Sequence, residues 1–143
     1  MKRSNRRTFI GTGAAAAGAV LTAGSALGAT TIDTQRPPIV HHVFFWLKNP
    51  SSTEDRDQLV AGLKTLAGIP LIKELYVGIL ASTEKRDVVD ASWQVSELMF
   101  FPDLQSQATY QQHQIHQDFV KNYSHLWEKV VVYDAMNVFN RIA

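Results

Sequence analysis

Four of the five histidines in this 143-residue chain lie in two short clusters, His41/His42 and His113/His116. Tyr110 precedes the second cluster at spacings i, i+3 and i+6, which on a continuous helix would place Tyr110, His113 and His116 on roughly one face. An imidazole titrates near neutral pH, and a phenol can donate a hydrogen bond to a carbonyl or enolate oxygen. Beside an apolar cavity, these side chains would form an acid/base pair.

The same histidines have two other interpretations. Two imidazoles from one helix face and a third from a strand would suit zinc, copper or nickel. No HExxH or HxH motif accompanies them, so metal binding is the weaker alternative, and no cofactor is expected. In the purely structural interpretation, His113 and His116 bond backbone carbonyls where the helix meets its loop.

The elements that must position these residues follow the order β-α-β-β-α-β, typical of the ferredoxin-like fold of the α+β class. Apolar periodicity and turn residues predict strands over 39–47, 71–81, 92–101 and 129–139. Helices are predicted over 54–67, with Ser52 or Thr53 as its N-cap, and from residue 103 onward, with a break near Gln114.

The first predicted strand is apolar on both faces. Side chains alternate along a strand, so Val43, Phe45 and Leu47 share one face, while Phe44 and Trp46 share the other. Two helices cover only one face of a four-stranded sheet, which leaves the second as a large exposed apolar patch. We therefore predict a homodimer packed sheet to sheet; aromatic residues lining an open ligand groove are the alternative, and both can hold together.

Composition excludes several other functions. The chain has 14 Lys+Arg against 13 Asp+Glu, a balance that argues against nucleic-acid binding through bulk charge. It has no cysteine, which excludes disulfides, thiolate metal sites and cysteine nucleophiles. After residue 29 the only glycines are Gly62, Gly68 and Gly78, too few for a phosphate-binding loop.

Residues 1–29 have the pattern of an export signal. They run from a basic stretch of net charge +4 through a mildly apolar segment to a small-residue end, whereas residues 30–143 carry −3. The segment 5–10 (NRRTFI) resembles the twin-arginine (Tat) signal, with Asn5 where serine is usual. We expect cleavage after Gly28 or Ala29 and delivery to the periplasm or the exterior. Four glycines dilute the apolar run, so no stable membrane anchor is expected after cleavage.

Three segments together resemble the stress-responsive dimeric α/β-barrel (Dabb) family. They are the first strand with its leading histidines (HHVFFWLK, 41–48), the stretch YQQHQIHQDFV (110–120), and the closing WEKVVVYD (127–134). The chain departs from the family pattern at Gln114, where proline is usual, and at Trp46, where lysine is common. The resemblance implies a dimeric α/β barrel formed by one Dabb domain (39–143). The export signal (1–29) and a polar, flexible lead-in (30–38) precede it.

The resemblance also implies a function. A plant polyketide cyclase of this family is believed to use a histidine and a tyrosine, and the matching positions are His116 as base and Tyr110 as its partner. We expect His41, His113, Phe45 and Trp46 to contact a small hydrophobic or aromatic ligand. Larger α/β-barrel families include haem enzymes, but this chain has no clear proximal histidine motif. The first hypothesis is a binding protein, possibly stress-related; the second is a cofactor-free cyclase, lyase or oxygenase for polyketide-like or phenolic substrates.

Overall fold

The structure is a computed structural model that describes residues 38–139; the predicted signal and nearly all of the lead-in lie outside the described residues. Within that range the chain forms four strands and three helices. They are β1 (Ile39–Leu47), α1 (Thr53–Thr65), β2 (Glu74–Ile79), β3 (Val95–Phe101), α2 (Leu104–Gln112), α3 (Gln114–Tyr123) and β4 (Trp127–Met136). Short 3-10 turns follow α1 and α3.

The strands form one antiparallel sheet in the order β2-β3-β1-β4, which confirms the predicted ferredoxin-like α+β fold. The strand predictions were too long at four ends, because residues 71–73, 80–81, 92–94 and 137–139 lie outside the strands. The three residues at 71–73 lie in a turn, where the Ile72 amide donates to the Ile69 carbonyl. The residues before β3 are held by Asp90, whose carboxylate accepts from the Ser92 amide. β4 instead begins two residues earlier than predicted, at Trp127.

The helices cover one face of the sheet and bury its core. Ser52 caps α1, as predicted, by accepting a hydrogen bond from the Asp55 amide at 3.1 Å. α1 then packs closely on α3, because Gly62 presents no side chain to Tyr123: a Cβ built at Gly62 would lie 2.7 Å from that ring. The alternation in β1 is the predicted one, with every second residue from Ile39 to Leu47 buried under the helices.

The opposite face of the sheet is covered by no described element and is rich in aromatic side chains. Phe44 lies at its centre, with its ring 5.0 Å from Trp93 and 5.9 Å from Tyr133 between centroids. Tyr76 and Tyr133 are 50% and 62% exposed. This face is the apolar patch that the two-faced strands predict. None of the described helices is long and apolar enough to span a membrane.

The second helical region is interrupted at His113, one residue before the predicted break. His113 has extended backbone angles (φ −66°, ψ 138°) and serves as both the C-cap of α2 and the N-cap of α3. Its Nδ1 accepts a hydrogen bond from the Ile115 amide at 3.2 Å. The interruption changes the helix phase between Tyr110 and His116, so the two are not related by simple i, i+6 spacing on one cylinder.

This junction is suited to the proline that the family has at Gln114. Residue 114 is the first of α3, where proline is favoured, and extended angles at residue 113 are those that a following proline requires. We expect Gln114→Pro to stabilise the chain by about 0.4–1 kcal/mol by restricting the unfolded state. It loses only the exposed bond from Gln114 to Asp118. Chemical denaturation checks it against Ala108→Pro, at an exposed position inside α2, which should cost about 3 kcal/mol; a loss of stability in Gln114→Pro would contradict the prediction.

Candidate functional site

A cavity of about 350 Å³ lies between the sheet and the pair α2 and α3. This volume is within the range of small-molecule sites, roughly 300–1,000 Å³. Its walls come from β1, β3, β4, the two helices and the turn after α3. The lining residues are His41, Val43, Phe45, Glu97, Tyr110, Gln111, His116, Phe119, Val120, Ser124, Trp127, Val130 and Val132.

The cavity is polar at its closed end and apolar at its mouth. The closed end, as we use the term, comprises His41, Glu97, Tyr110 and His116; the first three are only 4%, 3% and 1% exposed. The mouth is mainly apolar: it comprises Val120, Val130 and Val132, which are 39%, 44% and 45% exposed, and the exposed Ser124 adds one hydroxyl. A molecule that enters would therefore place its polar group deep in the cavity and its apolar part outward.

His41 is held by a carboxylate on the neighbouring strand. Antiparallel pairing places Asp134 of β4 directly opposite His41 of β1. Asp134 Oδ1 lies 2.6 Å from His41 Nδ1, and Asp134 is about half exposed. An ionised carboxylate only accepts hydrogen bonds, so His41 donates through Nδ1. Its Nε2 is then the ring atom left for other contacts.

Tyr110 and His116 meet at the closed end, with ring centroids 4.5 Å apart. His116 Nδ1 lies 3.2 Å from the Gln111 carbonyl, which only accepts; Nδ1 therefore carries the proton, and Nε2 retains its lone pair when the ring is neutral. Burial lowers the pKa of His116, which favours that neutral ring. Burial raises the pKa of Tyr110, and the charge that Glu97 acquires once it ionises at higher pH raises it further, so the Tyr110 hydroxyl stays protonated. A base and a donor thus stand side by side.

Glu97 is the unexpected member of the closed end. It pairs with Val43 across β1 and β3, and so points under the helices. Among the described residues, its Oε2 is buried with no hydrogen-bond partner. Burial raises its pKa from the ordinary 4.5 to about 8, so the side chain is mainly an uncharged carboxylic acid at neutral pH.

The structure brings four of the six sequence-predicted site residues together. His116, Tyr110, His41 and Phe45 line the cavity. His113 does not, because it caps α3 and its Nδ1 is used by the backbone. Trp46 does not either: it lies on the opposite face from Phe45, as strand alternation requires, where its Nε1 donates to Ser92 Oγ at 2.9 Å.

Sequence reasoning missed two acidic residues of this region, Glu97 and Asp134. A signal for Glu97 was present, since it stands at an inward position of β3 between Val95 and Met99. Acidic side chains are almost never fully buried unless they are paired, so an acid at an inward position is a candidate site residue. Asp134 gave no such signal, because its contact with His41 depends on the β1–β4 register.

The side-chain arrangement does not favour the metal hypothesis. Over residues 38–139, no three His, Cys, Asp or Glu side chains come together in a way that would hold a metal ion. His113, one of the three proposed ligands, instead accepts from the backbone at the helix junction.

The chain is thus a ferredoxin-like α+β protein in which the sheet and the helices enclose a cavity lined by histidine and tyrosine. The Dabb family, the stress responsive A/B barrel domain, matches residues 39–137, and the chain belongs to this family. None of the curated proteins compared with the chain matches it.

Solved structures of similar fold come from bacteria and plants. A Dabb family protein of Mesorhizobium loti is 23% identical, with a TM-score of 0.57, and the match covers 71% of this chain and 97% of that one. A dimeric ferredoxin-like protein of unknown function from Bacteroides fragilis is 19% identical (TM-score 0.55, 68% and 94% covered). The hydroxynitrile lyase of Passiflora edulis is 21% identical (TM-score 0.56, 76% and 99% covered). At these identities the likeness establishes the fold.

Proposed function

We propose that this chain is an exported homodimer in which each protomer binds a small hydrophobic or aromatic molecule in the His/Tyr-lined cavity. The observation that carries the proposal is the gradient of the cavity, from buried polar groups at the closed end to exposed valines at the mouth. The stress-responsive description of the family makes a stress-related role the natural setting for such binding.

Dimer formation is supported by the uncovered aromatic face around Phe44 and by relatives described as dimeric. Export is supported by Arg6 and Arg7 and by the small-residue end of the segment before residue 30. Sedimentation of the purified chain tests the dimer. Recovery from a bacterial periplasm, with loss on replacing both arginines by lysine, tests the export route; retention of export would exclude the Tat route.

Blocking the mouth tests ligand binding. We expect 4-propylphenol to quench the fluorescence of Trp127, which lines the cavity, and we expect Val132→Phe to abolish this response because it fills the mouth. The matched control is Val88→Phe, at a valine 83% exposed and outside the cavity lining. Equal responses from the two variants would place the binding elsewhere and contradict the proposal.

A second candidate function is a cofactor-free lyase or cyclase that uses His116 and Tyr110. It is favoured by the free Nε2 of His116 beside the protonated Tyr110 hydroxyl. The fold is shared with a hydroxynitrile lyase. His116 Nε2 would take a proton from the carbon next to a carbonyl, the C–H electron pair would form an enolate, and Tyr110 would donate to the enolate oxygen.

Deuterium exchange tests this second candidate. In D₂O the chain should speed exchange at the carbon next to the carbonyl of 4-phenylbutan-2-one, measured by NMR. His116→Gln should slow this exchange by about 10²–10⁴-fold, the usual contribution of a general base. The control is His125→Gln, at the exposed fifth histidine, outside the cavity lining. Exchange no faster than in buffer would remove the enzymatic function and leave the binding function in place.

A further inference from the structure

The acid at the closed end is not accounted for by acid/base chemistry between His116 and Tyr110. Glu97 is 3% exposed, and within residues 38–139 its Oε2 contacts no hydrogen-bond partner although the side chain lines the cavity. A buried polar atom without a partner costs free energy because it has lost its hydrogen bonds to water. A ligand atom bound at this position would remove that cost.

We propose that Glu97 and Tyr110 form a two-donor site for one uncharged oxygen acceptor, the carbonyl of a small ketone or aldehyde with an apolar tail. The inference rests on the proposed function, because it requires a molecule in the cavity. A carbonyl oxygen has two lone pairs and accepts from both hydroxyl groups. A tyrosine paired with a neutral buried carboxylic acid is a known arrangement for stabilising an enolate oxygen.

The charges around the closed end favour an uncharged ligand. Among the described residues that line the cavity there is no lysine or arginine. Of the two imidazoles at the closed end, His41 is already bonded to Asp134, and burial lowers the pKa of His116, which favours its neutral form. A carboxylate would therefore be desolvated without a counter-charge. An ammonium group would face the donor hydroxyl of Tyr110.

The rest of the cavity favours a ligand with an apolar tail. Phe45, Phe119 and Trp127 form an aromatic wall between the closed end and the mouth, with the Phe119 and Trp127 rings stacked at 5.7 Å. The valines of the mouth continue this surface outward. A phenylalkyl tail would contact both parts.

The test compares four probes that share a phenylalkyl tail: 4-phenylbutan-2-one, butylbenzene, 4-phenylbutan-2-amine and 3-phenylpropanoate. Calorimetry on the whole chain should show that the ketone binds most tightly. Glu97→Leu should weaken ketone binding by roughly five- to tenfold, the size expected for one net hydrogen bond, and leave butylbenzene unchanged. Glu97→Gln, whose amide still donates, should retain most of the ketone affinity.

An infrared measurement adds a readout that a structural role of Glu97 would not change. The stretching band of a ¹³C-labelled ketone carbonyl should move to lower frequency on binding, and Glu97→Leu and Tyr110→Phe should each reverse part of that shift. If Glu97→Leu fails to fold, Tyr110→Phe serves as the second variant. An unshifted band in the wild-type chain would overturn the inference without either variant.

Three further outcomes would overturn the inference. Equal ketone affinity in wild type and Glu97→Leu would show that Glu97 does not contact the ligand. Tighter binding of the amine, lost in Glu97→Gln, would show that Glu97 acts as an anion. In both of these cases the proposed binding function stands as long as butylbenzene binds. The third outcome is that none of the four probes binds, in which case the binding function fails and the inference fails with it.

Discussion

Glu97→Gln is expected to stabilise the chain against unfolding by about 4 kcal/mol more at about pH 9 than at about pH 5. Burial raises the pKa of Glu97 to about 8 in the folded chain, against 4.5 for an exposed glutamate. Below 4.5 both states hold the proton and no free energy is lost. Between these two values the unfolded chain releases the proton and the folded chain keeps it, so wild-type stability falls as pH rises. Glutamine never ionises and avoids this loss.

Urea denaturation of both chains at the two pH values, without ligand, measures the effect. The other ionisable side chains of the closed end and the Asp134 carboxylate are present in both chains, so their contributions largely cancel in the comparison. Any fixed cost of burying the glutamine amide cancels in the same way. Parallel pH profiles for the two chains would mean that Glu97 is not buried as an uncharged acid.

Tyr110→Ala is expected to destabilise the chain by about 3–5 kcal/mol, the usual cost of deleting a buried aromatic ring. The side chain is 1% exposed, and its ring centroid lies 5.1 Å from that of Phe101 and 5.8 Å from that of His41. Removing the ring would leave a hole next to the cavity. For a domain of this size the melting temperature should fall by more than about 10 °C.

Tyr110→Phe is the matched control, because it keeps the ring and removes only the hydroxyl. It should stay within about 1 kcal/mol of wild type in thermal or chemical denaturation. The pair separates two roles of one residue, since the ring supports the fold and the hydroxyl is offered to the cavity. A loss in Tyr110→Phe as large as that in Tyr110→Ala would show that the hydroxyl is itself a structural group.

The sequence was informative wherever a simple period applied. The two-residue period of β1 placed His41 and Phe45 under the helices, and it also implied that Trp46 would lie on the other side. The ligand-contact role expected of Trp46 ran against that period, and the structure places Trp46 outside the cavity.

Prediction was less accurate where a period is interrupted or where distant segments meet. His113 was expected to share a face with Tyr110 and His116, but an extended residue between two helices rotates the second helix relative to the first. The bond between Asp134 and His41 joins residues far apart in the chain, and only the strand register brings them together. The two-residue period decides which face a residue occupies, but a slip of two residues keeps the same faces and would give His41 a different partner.

β4 lies at one border of the sheet, so one side of its backbone is left without a strand partner within the described part of the chain. Exposed borders of this kind can template pairing with other molecules and so promote aggregation. Two features of β4 oppose such pairing. Its register with β1 shifts at Trp46/Leu47, an irregularity that twists the strand, and it carries charged side chains at Glu128, Lys129 and Asp134. The carboxylate that orients His41 therefore also helps to keep neighbouring molecules apart.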